Sequence, residues 1–216
     1  MPGPLRRAAR TGSARFGDPR LVLGATAPGR HRAACHAPMP LGAPVSSRAV
    51  AWPPPPLPDS YWVEPGRLLA GAYPGAVDTA VAGRRMGLLR NSGVTLVVDL
   101  TEPAELLPAY GQQLGEARHE RRPIPDLGVV AHDRYAEILD LVDEELASGG
   151  CVYVHCLGGL GRTGTVVGCW LMRHGRDGGD PIGGIARLRS HLVDAHLRSP
   201  QTAAQEAIVR GWRRGD

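Results

Sequence analysis

The chain has 216 residues, enough for one ordinary domain with an appendage. All 25 of its basic residues are arginine, and they divide unevenly: residues 1–58 hold eight arginines against one acid, whereas residues 59–216 hold 17 against 20. Because the basic charge belongs to the first segment and no basic stripe with interleaved aromatic residues occurs, we expect no nucleic-acid partner.

Residues 1–58 have no sustained hydrophobic period and end in WPPPPLP, a run that favours polyproline II. We predict that this Arg/Ala/Pro-rich segment is a disordered extension and that residues 59–216 form one folded domain.

Strand and helix patterns alternate through that domain. In chain order they are a strand in GRLLAGAYPG, a helix over 77–90, a buried strand VTLVVDL, a weaker helix from Pro103 towards Leu114, an edge strand in EARHERRPIP, a helix in HDRYAEILDLVDEELASGG, a buried strand CVYVHC, a helix in RTGTVVGCWLMRHG, and helices from Pro181 to Leu192 and from Thr202 to Trp212. This order predicts an α/β fold with a mostly parallel central sheet flanked by helices.

The segment VHCLGGLGRTGT leaves the carboxyl end of a predicted strand and enters a helix, where ligands bind in such sheets. Three glycines among the five residues between Cys156 and Arg162 allow successive backbone N–H groups to surround an anion. The following helix adds its positive dipole end, and arginine binds two oxyanion oxygens at once. We therefore predict a phosphate-binding loop made of Leu157, Gly158, Gly159, Leu160, Gly161 and Arg162.

Cys156 lies at the centre of this positive field, which favours thiolate over thiol and makes it the candidate nucleophile. A nucleotide-binding loop of the G-x-x-x-x-G-K-[ST] type is excluded because the chain has no lysine. With only four cysteines and no C-x-x-C pair, the sequence indicates reduced thiols, no metal site and a cytoplasmic location. No apolar stretch approaches the ~20 residues that span a bilayer, so we expect no membrane partner.

Attack on a phosphoryl group expels an oxygen leaving group, which needs a proton from a positioned acid. Asp126 in RRPIPDLGVV is the candidate acid, although a turn aspartate is the ordinary explanation. Asp133 begins a helix and is better explained as an N-cap. Asp99 ends a buried strand, where a structural role is expected.

Three further side chains have candidate roles. Thr163 can donate a hydrogen bond to the cysteine sulfur and ease its departure, or can simply be a helix first-turn residue. His155 is expected to order the loop by hydrogen bonding. Gln205, which shares a helix face with Gln201, can orient an attacking water, although a surface glutamine explains it as well.

VHCLGGLGRTG resembles the H-C-x5-R-[ST] signature of the cysteine-dependent protein phosphatases. With PIPD upstream, the sequence is similar to the compact dual-specificity group that includes the kinase-associated phosphatases, and the resemblance runs from about Tyr61 to Trp212. It implies a protein-tyrosine-phosphatase-like fold, catalysis by Cys156, Arg162 and Asp126, no cofactor, and water positioning by Gln205.

The resulting expectation is a monomeric phosphatase that hydrolyses phosphotyrosine, and also phosphoserine or phosphothreonine, in a phosphorylated protein through a phosphocysteine intermediate. Two alternatives remain open: hydrolysis of a small phosphorylated metabolite or inositol phosphate, and phosphate binding without turnover. Leu157 and Leu160 stand where phosphoinositide phosphatases often carry lysine, which disfavours a lipid substrate.

Overall fold

The structure is a computed structural model that describes residues 52–216. Most of the predicted extension, residues 1–51, lies outside the described residues. Packing begins before the predicted domain start at residue 59, because Leu57 is only 1% exposed and packs beside Trp62 and Leu69. Its backbone N–H donates to the hydroxyl of Ser60, and that hydroxyl donates back to the Leu57 carbonyl.

A five-stranded sheet in the order β1-β2-β5-β3-β4 forms the centre of the domain. The strands are β1 (Ser60–Glu64), β2 (Leu68–Gly71), β3 (Leu96–Asp99), β4 (Arg118–Arg121) and β5 (Val152–His155). All neighbouring strands are parallel except β1 and β2, which are antiparallel. The predicted mostly parallel α/β sheet is confirmed, and β1 is an additional edge strand that the sequence analysis did not separate.

Successive side chains of the central strands enter different hydrophobic clusters, as a period of two requires for a sheet buried on both faces. In β5, Val152 and Val154 belong to one cluster, whereas Tyr153 belongs to the other. The unbroken apolar run of this strand thus reflects packing on both of its faces.

Within the described residues, five α-helices cover the sheet: α1 (Thr79–Asn91), α2 (His132–Ala147), α3 (Gly161–Arg173), α4 (Pro181–Leu188) and α5 (Ala203–Gly211). Helix α1 packs through Met86 and Leu89 into the cluster of Tyr153, whereas large buried hydrophobic residues of the other helices belong to the cluster of Val152. No helix within residues 52–216 is long and apolar enough to cross a membrane.

Two local predictions are wrong. The helix expected from Pro103 towards Leu114 is replaced by two short 3-10 turns, Pro103–Glu105 and Gly111–Gln113. A proline at position 108 lacks an N–H and would clash with the carbonyl of the preceding turn, so a continuous helix cannot form there. Asp133 is not an N-cap, because α2 begins at His132 and its N-cap residue is Ala131.

The carboxyl ends of β3, β4 and β5 lie at one edge of the sheet because these strands are parallel. Three segments leave this edge: residues 100–105 after β3, residues 122–131 after β4, and the loop from Cys156 after β5. Side chains far apart in the sequence can therefore meet above one end of the sheet.

Candidate functional site

The loop from Cys156 to Arg162 joins β5 to α3, and α3 begins at Gly161. Cys156 is a free cysteine with 3% of its surface exposed, whereas Leu157 and Gly158 are exposed. The predicted nucleophile therefore lies below the rim of the loop.

Three carbonyl oxygens of this loop are bonded to groups outside it. The Cys156 oxygen pairs with Nδ1 of His155 at 3.1 Å, the Leu157 oxygen accepts from the N–H of Tyr73 at 2.9 Å, and the Leu160 oxygen accepts from the Ser199 hydroxyl at 2.8 Å. In a trans peptide the N–H points opposite to the carbonyl. The N–H groups of residues 157–162 donate to no protein acceptor among residues 52–216, so they are available to an anion.

The backbone geometry requires glycine at one of the three glycine positions of the loop and leaves little room for a side chain at a second. Gly159 has a φ of +69°, and a Cβ there would lie 2.6 Å from the carbonyl carbon of Gly71. A Cβ on Gly161 would lie 2.6 Å from Oε1 of Gln201. Gly158 differs, because its Cβ would meet nothing closer than 3.9 Å.

Arg162 is 1% exposed and held by two carboxylates. Its NH1 and NH2 donate to Oε1 and Oε2 of Glu105 at 2.5 and 3.1 Å, and NH2 also lies 3.0 Å from Oδ1 of Asp126. Burial lowers the pKa of Arg162, but the Glu105 hydrogen bond and the negative charges of Cys156, Glu105 and Asp126 outweigh it and raise the pKa overall. The same hydrogen bond from Arg162 lowers the pKa of Glu105.

The structure brings the candidate acid into this cluster. The Asp126 side chain is 58% exposed at the mouth, and its backbone N–H donates to Oε2 of Glu102 at 3.2 Å. Asp99 is buried and bonded to Thr101, His119 and Arg121, which supports the structural role expected for it. Burial alone would raise the pKa of Asp99, but these hydrogen bonds and the nearby His155 hold it well below its usual range.

His155 is fully buried, and burial lowers its pKa to about 4, so the imidazole is neutral at pH 7. A carbonyl oxygen can only accept a hydrogen bond, so the ring proton of His155 is assigned to Nδ1, which faces the carbonyl of Cys156. Nε2 consequently accepts from the Tyr110 hydroxyl, its other partner. The hydrogen bond from Nδ1 of His155 holds the carbonyl of Cys156 on the outer side of the loop.

Thr163 and Gln205 lie next to the loop with other partners than the sequence analysis assigned. The buried Thr163 hydroxyl donates to the carbonyl of Gly71 at 3.5 Å rather than to the Cys156 sulfur. Gln205 is fully buried, accepts from the N–H groups of Gln201 and Thr202, and donates to the carbonyl of Gly128. Its amide therefore ties the start of α5 to the segment that carries Asp126.

Glu102 and Glu105 were not assigned a role from the sequence. The available signal was a pair of carboxylates directly after the carboxyl end of a buried strand, in the segment VVDLTEPAE. The partner of Glu105, however, lies 57 positions later in the chain, and no local pattern connects the two.

A family model described as "Polymorphic toxin system, DSP-PTPase phosphatase" matches residues 74–176. The dual specificity protein phosphatase CDC14B of Mus musculus is 30% identical over 125 residues, which are 55% of this chain and 25% of that protein. CDC14AB of Danio rerio is 27% identical over 174 residues, 73% of this chain and 26% of that protein. The chain thus spans about a quarter of the length of these relatives.

Solved structures show the same fold. The active form of Tk-PTP superposes with a TM-score of 0.57 at 26% identity, covering 71% of this chain and 95% of that one. Kinase associated phosphatase superposes with a TM-score of 0.56 at 21% identity, covering 69% of this chain and 90% of that one. Together with the cysteine and arginine of the loop, these similarities support a relationship of the chain to the cysteine-dependent dual-specificity phosphatases.

Proposed function

We propose that the protein hydrolyses phosphotyrosine, and also phosphoserine or phosphothreonine, in a phosphorylated protein substrate. The observation that carries the proposal is one loop that begins at the buried Cys156 and ends at the buried Arg162, and whose backbone N–H groups, those of residues 157–162, donate to no acceptor among residues 52–216. Asp126 stands at the mouth, 3.0 Å from Arg162. Transfer of a phosphoryl group to sulfur requires these three kinds of group: a nucleophile, oxyanion donors and an acid.

In the first proposed step the Cys156 thiolate attacks phosphorus, a sulfur–phosphorus bond forms, and the ester oxygen–phosphorus bond breaks. Asp126 gives its proton to the departing oxygen, so that a neutral hydroxyl leaves. The loop N–H groups and Arg162 bind the non-bridging oxygens and stabilise the charge that they carry in the transition state.

In the second step water attacks the phosphocysteine, the sulfur–phosphorus bond breaks, and the ionised Asp126 takes the water proton. Thr163 is proposed to assist the departing sulfur and Gln205 to orient the water. Both would need a small change of partner, since Thr163 now donates to Gly71 and Gln205 to Gly128. Gln201, whose Oε1 lies above Gly161, is the nearer amide to the loop.

The ion pair between Asp126 and Arg162 fits this sequence of events. Both phosphate and the Asp126 carboxylate are anions that Arg162 can bind, so an arriving phosphoryl group replaces the carboxylate on NH2. Asp126 is then released from its cation and placed above the ester oxygen. We further propose that the protein acts on a protein substrate, as a monomer and in the cytoplasm.

Substitution of the nucleophile tests the chemistry. We expect Cys156→Ser to abolish hydrolysis of an aryl phosphate in the presence of EDTA, while phosphate binding is retained, because serine at neutral pH is a poor nucleophile without a base. Cys151→Ser is the matched control, since Cys151 is a buried cysteine at the other end of the same strand. Wild-type rates for Cys156→Ser would rule out the proposed mechanism.

A substrate panel tests the specificity. We expect phosphotyrosine peptides to give the highest kcat/KM, with lower values for phosphoserine and phosphothreonine peptides. A preference for an inositol phosphate or a phosphorylated metabolite would show that the substrate is a small molecule rather than a protein. Binding of all of them without turnover would show a phosphate-binding module.

A further inference from the structure

Two glutamates lie on one turn directly after β3, in a segment that we call the glutamate turn (residues 102–105). Its two carboxylates reach different parts of the site. Glu105 binds Arg162, the phosphate-binding side chain, whereas Glu102 binds the backbone of Asp126. The turn therefore contacts both groups between which a phosphoryl ester must fit.

The turn is held together internally. Oε1 of Glu105 accepts from the N–H of Glu102 at 2.7 Å, and the N–H of Glu105 donates to the carbonyl of Glu102 at 3.1 Å. Since the Glu105 carboxylate also binds Arg162 through both oxygens, Glu102 is placed relative to Arg162 by a short chain of hydrogen bonds. A displacement of Glu102 would consequently shift the backbone of Asp126, which is bonded to it.

The segment around Asp126 forms a tight turn. Leu127 has a φ of +56°, and the N–H of Gly128 donates to the carbonyl of Pro125 at 2.9 Å. The bond from Asp126 to the Glu102 carboxylate fixes the peptide that directly precedes the acid side chain. That side chain is more than half exposed, so its direction depends on this backbone and on the contact with Arg162 rather than on packing.

We infer that Glu102 is a positioning residue for the general acid: its carboxylate holds the Asp126 backbone at a set distance from the phosphate bound by Arg162. The inference rests on the acid role proposed above for Asp126. Glu102 itself touches neither phosphate nor leaving group. Its contribution is the hydrogen-bond acceptor that it presents to one N–H.

The dependence of kcat/KM on the leaving group isolates the contribution of Glu102. An acid is needed most when the departing oxygen is strongly basic, as in phenyl phosphate, and least for 4-nitrophenyl phosphate, whose phenolate leaves readily. General acids contribute ~10²–10⁴-fold, so partial misplacement in Glu102→Ala should lower kcat/KM for phenyl phosphate roughly tenfold. The change for 4-nitrophenyl phosphate should stay within about twofold.

Three further variants show whether the acceptor is what matters. Glu102→Gln keeps a side-chain oxygen in place and should restore the wild-type leaving-group dependence. Glu102→Asp keeps the charge but shortens the reach by one methylene, so it should behave like the alanine variant, and it also serves if Glu102→Ala does not fold. Glu116→Ala, an exposed glutamate before β4, is the matched control and should follow the wild type.

The outcomes separate the inference from the proposed function. If Asp126→Ala shows the wild-type leaving-group dependence, the acid assignment fails and the inference fails with it. If Asp126→Ala becomes strongly leaving-group dependent while Glu102→Ala and Glu102→Asp do not, only the inference is overturned. Equal losses on both substrates in the Glu102 variants would also overturn it, because a general structural defect does not select poor leaving groups. In the Asp126→Ala background, Glu102→Ala should cause no further loss on phenyl phosphate.

Discussion

At the level of single residues, Arg162 combines burial with a bidentate ion pair, which fixes the plane of its guanidinium. A planar fork suits both the Glu105 carboxylate and a phosphoryl group, and a lysine ammonium cannot reproduce it. We therefore expect positive charge alone to be insufficient at this position.

We expect Arg162→Lys to lower kcat/KM for an aryl phosphate by about 10²–10³-fold, the usual cost of losing a preorganised oxyanion donor. Steady-state kinetics at several phosphate concentrations measures the loss and the accompanying weakening of product inhibition. Activity within tenfold of the wild type would show that charge, rather than the guanidinium geometry, binds the phosphoryl group.

His155 predicts a pH dependence of stability. Its pKa is about 4 in the folded protein because of burial, below the ordinary value of 6.5. The unfolded chain binds a proton below pH 6.5 that the native protein does not, so the free energy of unfolding falls as the pH drops from 6.5 towards 4. The loss is on the order of 3 kcal/mol when complete.

Urea unfolding at pH 7, 6 and 5 measures this fall, with His155→Asn as the comparison. The variant should be less stable at pH 7, because it loses the ring that packs against Tyr110, but its stability should change less between pH 7 and 5. Equal pH slopes for both proteins would show that His155 does not titrate as described.

At the level of elements, the loop between β5 and α3 needs particular glycines rather than general flexibility. Gly159→Ala forces a Cβ into the backbone of Gly71 and places alanine at a φ of +69°, which costs about 1–2 kcal/mol in backbone conformation alone. We expect this variant to melt earlier and to lose most of its activity.

Gly158→Ala is the matched control in the same loop, because its Cβ would meet nothing closer than 3.9 Å. Thermal unfolding and aryl phosphate hydrolysis should both remain close to the wild type. If the two alanine variants behaved alike, the distinction between the two glycines would be wrong.

Elements with a strong local pattern were predictable. The stripe of Tyr135, Ile138, Leu139, Val142 and Leu146 is buried along α2, and the apolar run of β5 lies in the centre of the sheet. Elements that depend on distant partners were not. β1 is paired antiparallel to β2, and nothing in SYWVE distinguishes an edge strand from a linker.

The residues of the site also divide into those that were predictable from the sequence and those that were not. Cys156, Arg162 and the glycines are close in sequence and follow from the chemistry of one loop, whereas the roles of Glu102 and Glu105 depend on a short turn, Pro103–Glu105, where a longer helix was predicted. Thr163 and Gln205 lie next to the loop, but their hydroxyl and amide partners are backbone groups that the sequence cannot identify.

For the whole molecule, the domain includes residues from the proline run that the sequence assigned to the extension. Leu57 is buried in the cluster around Trp62, so Leu57→Ala should lower the free energy of unfolding by about 2–5 kcal/mol. Leu88→Ala, at a 45% exposed leucine of α1, is the control and should cost less than about 1 kcal/mol. Equal costs in denaturant unfolding would place Leu57 outside the packed domain.

The outward bonding of the loop carbonyls has a thermodynamic consequence. The N–H groups of residues 157–162 have no acceptor within the described part of the chain, so an oxyanion that occupies the loop binds the native protein and not the unfolded one. At a hundred times its dissociation constant, such a ligand adds about 2.7 kcal/mol to the free energy of unfolding. Inorganic phosphate, the product of the proposed reaction, would then act as a stabiliser, and the melting temperature of this protein would report the phosphate concentration around it.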